Sequence, residues 1–135
     1  MIKKIKEYKV KSFSRISGKL TPLNFDKDFP INVKRIFFIY GKSNKIRGDH
    51  AHKKCSQLFF IIKGKIILSI KTPKISKNIL LSDKSKKAIL IPPKYWCSIK
   101  FINNNSIVMV ACDQYYKYSD YLESFDDYKK YLKKK

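Results

Sequence analysis

A chain of 135 residues with 44% hydrophobic content is long enough to bury a core and too apolar to be disordered. Its net charge is +21, but the 31 basic residues include only three arginines, Arg15, Arg35 and Arg47. Bidentate readout of phosphate and guanine favours arginine, so the scattered lysines read as a solvated surface and argue against a nucleic-acid binder. No apolar run reaches the roughly 18 residues of a membrane span, and Met1–Val10 lacks a signal-peptide core. The three cysteines, Cys55, Cys97 and Cys112, are odd in number and lack CxxC spacing. That pattern argues against a disulfide framework and a cysteine-built zinc site, and suits a cytoplasmic protein without membrane insertion.

The chain opens with alternating residues from Ile2 to Phe13, which read as a strand. Gly18 to Leu20 restarts extended structure, and Asn24 to Pro30 is a polar loop. Asn32 to Tyr40 is rich in β-branched and aromatic residues and is expected as a strand. Gly41 to Ile46 forms a turn before Arg47-Gly48-Asp49-His50-Ala51-His52, which holds both histidines of the chain. On a strand His50 and His52 point to one face. Such a pair suits a metal clamp, a proton-transfer site or a polar surface patch.

Gln57 to Ile62 and Lys65 to Lys71 flank Lys63-Gly64 and read as a hairpin. Asn78–Leu81, Ala88–Ile91, Cys97–Phe101 and Ser106–Cys112 are four further short strands separated by polar or proline turns. The pattern predicts a single all-β domain, an antiparallel sandwich or barrel. Near the end, Ser119 or Asp120 is expected to cap a short helix carrying Tyr121, Leu122, Phe125, Tyr128 and Leu132. Residues 128–135 read as a solvated basic tail.

The spacing His50-x-His52-x4-Gln57-x6-Gly64 resembles the first motif of the cupin superfamily, with glutamine in the usual glutamate slot. Pro92-Pro93-Lys94-Tyr95-Trp96-Cys97 resembles the second motif, with Lys94 for glycine and Cys97 for histidine. The resemblance implies a small cupin-type jelly-roll β-barrel with a short C-terminal helix. Of the metal ligands that metal-binding cupins carry, only His50 and His52 remain, so no metal is expected and proton transfer is favoured.

Lys34-Arg35-Ile36-Phe37-Phe38-Ile39, Arg47-Gly48-Asp49-His50-Ala51-His52 with Gln57-Leu58, Pro93-Lys94-Tyr95-Trp96 and Ala111-Cys112-Asp113 with Asp120-Tyr121 resemble the sugar 3,4-ketoisomerases acting on dTDP-4-keto-6-deoxyglucose. The resemblance implies cofactor-free conversion to a dTDP-3-keto-6-deoxyhexose through an enediol, with His50 and His52 catalytic. Substrate contacts are expected from Arg47, Arg35, Lys34, Gln57, Trp96 and Cys97. It further implies a homodimer with exchanged amino-terminal strands, and products that feed deoxyamino sugars of surface glycans such as O-antigen. Ser17, Phe37, Phe38 and Cys97 depart from the family pattern, which leaves a non-catalytic nucleotide-sugar-binding cupin as the alternative.

Overall fold

The computed structural model describes residues 1–134. The chain begins with β1 (Lys6–Lys9), β2 (Phe13–Arg15) and β3 (Gly18–Leu20), then β4 (Arg35–Gly41) and β5 (Ile46–His52). A hairpin of β6 (Gln57–Lys63) and β7 (Lys65–Lys71) leads to β8 (Ser76–Ser82) and β9 (Lys87–Ile91). β10 (Trp96–Phe101), β11 (Ser106–Cys112), β12 (Tyr121–Leu122) and the helix α1 (Phe125–Lys133) complete it.

Two five-stranded antiparallel sheets face one another, in the orders β1-β9-β6-β11-β4 and β12-β5-β10-β7-β8, and β2-β3 forms a separate hairpin. The jelly-roll architecture expected from the motifs is therefore present, as two facing sheets rather than a closed ring. Alternation explains the core. Phe59 and Ile61 of β6, Leu68 and Ile70 of β7, Ile89 and Ile91 of β9, and Val108 and Val110 of β11 all point between the sheets. Burial of each such side chain contributes about 1.5–3 kcal/mol. On the outer face of the first sheet, Leu58, Leu90 and Met109 are covered by Leu23, Phe29, Ile31 and Val33 from the 21–34 connection.

Three local expectations are corrected. The strand expected over Ile2–Phe13 is broken into β1 and the start of β2, and the Val10 amide extends the β1–β9 register past Lys9 by donating to the Lys86 carbonyl at 2.9 Å. The helix does not open at Ser119 or Asp120. A 3-10 turn occupies Tyr118–Asp120, β12 pairs with β5, and Ser124 caps α1 by accepting from the Asp127 amide. Asp120 is unavailable as a cap because its carboxylate is bonded to His52 and Lys54.

Of the segment expected as a basic tail, 128–135, Lys135 lies outside the described residues, while the residues through Lys133 are helical and Tyr128 is fully buried. Its hydroxyl donates to the Lys94 carbonyl at 2.8 Å and lies 3.3 Å from that of Lys71. Tyr128, Leu122, Trp96 and Ala51 make a small core that seats α1 behind the second sheet. Asp126 and Asp127 at its start and Lys130 and Lys133 at its end suit the helix dipole. Among the described residues, no helix is long and apolar enough to cross a membrane.

Candidate active site

The histidine strand is not a regular strand. Opposite β10 the register runs Cys97 with His50 and Ser98 with Gly48, so one residue of β5 is unmatched. Gly48 and Asp49 both hold positive φ, at 85° and 61°. A Cβ on Gly48 would lie 3.2 Å from the Cys97 carbonyl, so glycine meets both the backbone conformation and the close approach. Strict alternation would send Arg47 and His50 to opposite faces. The bulge brings both to the wall of one cavity. It also turns the Asp49 carboxylate outward, where it accepts from the Trp96 indole at 2.8 Å.

His50 and His52 project together, with ring centroids 5.1 Å apart. His50 lines the cavity and His52 is buried beside it. Nδ1 of His52 lies 2.9 Å from Oδ2 of Asp120. A carboxylate there accepts the Nδ1 proton, which leaves Nε2 with its lone pair. That Nε2 is buried and has no hydrogen-bond partner. Asp120 also accepts the Lys54 amide at 2.7 Å, and its carbonyl accepts that of Lys53 at 2.8 Å. Burial pushes His52 below the usual imidazole value of 6.5, and the pull of Asp120 in the other direction does not overcome it. His50 is lowered by burial and then by its neighbour His52. Two neutral imidazoles are thus ready to accept protons at neutral pH.

The cavity that His50 lines has a volume of about 580 Å³, large enough for a small ligand. Gln57 and Cys97 lie in its walls with Phe37, Phe59 and Tyr121. Burial pushes the Cys97 thiol up to about 12, so it is a neutral wall and a poor metal ligand. Arg35 stands behind Phe37 and Tyr116, its guanidinium 5.4 and 5.7 Å from their ring centres. Its Nη2 lies 3.7 Å from the Cys112 sulfur, and Nε2 of Gln57 lies 3.9 Å from the same atom. The Cys55 thiol, Arg35 and Gln57 together draw the Cys112 thiol down, while Cys55 is pushed up.

The expected site residues therefore separate into groups. Arg47, His50, Gln57 and Cys97 meet at the cavity, with His52 and Arg35 just behind its wall. Lys34 lies outside it, with Nζ over the exposed Tyr115 ring at 5.6 Å. Trp96 faces the opposite side of the sheet, packed between Phe125 and Tyr128. Lys94 takes the glycine slot of the second motif at φ 75°, a conformation costly for a lysine. Asp120 and Tyr121 belong to the segments that resemble the ketoisomerases, but nothing local in the sequence marks their approach to His52 or gives them a role. Among the described residues, the donor atoms of His52, Cys55 and Asp120 lie within 4.8 Å of one another, close enough to hold a cation. Asp120 is already bonded there, and a Cys55 thiol with a raised pKa resists giving up its proton to a metal.

A model of the FdtA family (WxcM-like, C-terminal) matches residues 3–133. The chain belongs to this family. It is 30% identical over 132 residues to the TDP-4-oxo-6-deoxy-alpha-D-glucose-3,4-oxoisomerase of Aneurinibacillus thermoaerophilus, covering 95% of this FdtA-family chain and 94% of that one. Among solved structures it resembles QdtA, a sugar 3,4-ketoisomerase of Thermoanaerobacterium thermosaccharolyticum bound to TDP. The TM-score is 0.89 at 28% identity, over 98% of this chain and 97% of that one. A mutant of the same enzyme bound to TDP-4-keto-6-deoxyglucose superposes equally well, with a TM-score of 0.89 at 27% identity over 98% and 96% of the two chains. The RmlC epimerase of Mycobacterium tuberculosis shares the fold alone. Its TM-score is 0.75 at 15% identity, over 87% of this chain and 66% of that one. The FdtA-family chain thus has the cupin-type fold that its motifs imply.

Proposed function

We propose that this protein is a nucleotide-sugar 3,4-ketoisomerase that converts dTDP-4-keto-6-deoxyglucose to a dTDP-3-keto-6-deoxyhexose. The observation that carries this reading is the neutral His50 in the cavity wall, backed by a His52 whose tautomer Asp120 sets. Moving the ketone requires loss of the C3 proton, an enediolate and protonation at C4. His50, which lines the cavity, is the base at C3, and His52 is its orienting and proton-transferring partner. Arg47 is at the rim, where its planar fork suits a diphosphate, and the Arg35 charge behind the wall favours the enediolate. Gln57 and Cys97 shape the sugar pocket. Trp96 positions the bulge through Asp49. Buried free thiols and a nucleotide-linked substrate suit the cytoplasm.

The family membership, the curated relative and the ligand-bound neighbours support the substrate class. Incubating the protein with dTDP-4-keto-6-deoxyglucose and following the sugar protons by NMR tests it. Wild type should form the 3-keto product and His50→Asn should not. A wild type that transforms neither this sugar nor related nucleotide sugars overturns the reading.

A homodimer is part of the proposal. β1 pairs with β9 of its own chain, so exchange of amino-terminal strands falls to the β2–β3 hairpin, all of whose residues are exposed. Phe13 and Leu20 on that hairpin and Ile36 and Phe38 on edge strand β4 are exposed apolar side chains suited to covering by a second copy.

A further inference from the structure

A ketone shift between neighbouring carbons moves two hydrogens, one between carbons and one between oxygens. The paired imidazoles account for the carbon-bound proton. The oxygen-bound proton must leave the C3 hydroxyl as that carbon becomes a carbonyl, and a proton must reach the C4 oxygen. This step needs a group that can both give and take a proton beside the histidines.

The cavity offers few such groups. No serine or threonine is among its described lining residues, and Cys97 is held neutral by burial. Glu123 at the rim already accepts the Tyr118 hydroxyl at 2.8 Å. Of the four lining phenols, Tyr40, Tyr116 and Tyr118 are 72%, 61% and 68% exposed, and Tyr121 alone is half-buried. Tyr121 stands directly opposite His52 in the β12–β5 ladder. Its ring centre is 4.5 Å from that of His52 and 5.0 Å from that of His50. Asp120 on one side is bonded to the histidine strand, and Leu122 on the other is buried in the core under α1. The phenol is therefore fixed from both neighbours. Burial favours the neutral phenol and raises its pKa, and the positive charge of Arg35 opposes this by stabilising a phenolate.

We propose that Tyr121 is a further catalytic residue that shuttles the oxygen-bound proton; this rests on the ketoisomerase reading above. As the C3–H bond breaks, its proton passes to the imidazole and its electron pair forms the C3–C4 double bond. The C4 carbonyl oxygen takes the phenol proton, leaving a phenolate beside Arg35. The phenolate then removes the C3 hydroxyl proton, the oxygen electrons form the C3 carbonyl, and the imidazolium protonates C4. Both groups return to their starting states, and nothing is consumed. One phenol can serve both oxygens because they sit on adjacent carbons.

The test compares wild type, Tyr121→Phe and a variant with fluorotyrosine at the same position, all assayed with dTDP-4-keto-6-deoxyglucose in deuterated water. Loss of the hydroxyl should lower kcat about 100-fold or more with KM little changed. The enediolate then returns to substrate, so deuterium entering C3 per molecule of product should rise about tenfold or more. Fluorotyrosine keeps the hydroxyl and should restore the wild-type ratio. A Tyr121→Phe enzyme with kcat within about threefold of wild type, or with an unchanged exchange ratio, overturns the shuttle and leaves the ketoisomerase reading standing. A fluorotyrosine enzyme that behaves like Tyr121→Phe also overturns it. A wild type with neither product nor exchange removes both.

Discussion

Asp120 accepts the Nδ1 proton of His52 at 2.9 Å and the Lys54 amide at 2.7 Å. One carboxylate thus sets the tautomer of the imidazole and pins the end of its strand. Asp120→Asn keeps the size and loses the charge, so the Nδ1–H form is no longer enforced. Turnover should fall about 100-fold or more with the fold retained, read by NMR assay beside a thermal melt. Both imidazoles have pKa values below 6.5 in the folded chain. The unfolded chain therefore binds these protons first as pH drops, and stability is full above 6.5 and declines below it. Thermal midpoints should fall as pH is taken from 7 towards 5, and less steeply in His52→Asn. The two histidines were legible from their own spacing and from Gln57 and Gly64. The role of Asp120 was not, because its partner lies 68 residues away and no local pattern encodes the approach.

At the scale of elements, the bulge in β5 matters most. Gly48 holds φ 85° with a carbonyl close to where a Cβ would stand. Gly48→Ala should cost about 1–2 kcal/mol from the left-handed backbone alone. It should also depress turnover, because a regularised strand returns Arg47 to the face opposite His50. Denaturant unfolding and the NMR assay read the two effects. Most strands were legible from alternation and from turn residues, as in the Lys63-Gly64 hairpin. The bulge was not, since a left-handed glycine in a strand looks like any other until its partner Cys97 is placed. The start of α1 is hidden in the sequence for a related reason. Ser119 and Ser124 both fit a cap by residue type, and only the pairing of β12 with β5 decides between them.

At the scale of the molecule, two facing sheets leave β4 as an edge, with Ile36 and Phe38 39% and 50% exposed. With the proposed second copy covering that face, Ile36→Glu should be a monomer, and light scattering after gel filtration should show half the mass of the wild type. The net charge of +21 opposes association, so salt should strengthen the proposed dimer by screening. The helix α1 packs behind the second sheet, against Trp96. Trp96 is the sole tryptophan of the chain. Its indole is bonded to the bulge that aligns Arg47 with His50, and its ring is wedged against α1. The molecule thus carries its own fluorophore on the reverse side of its reactive centre, out of reach of ligand but mechanically joined to it. Its emission should report strain in the histidine strand when a nucleotide sugar fills the cavity, without any label being attached.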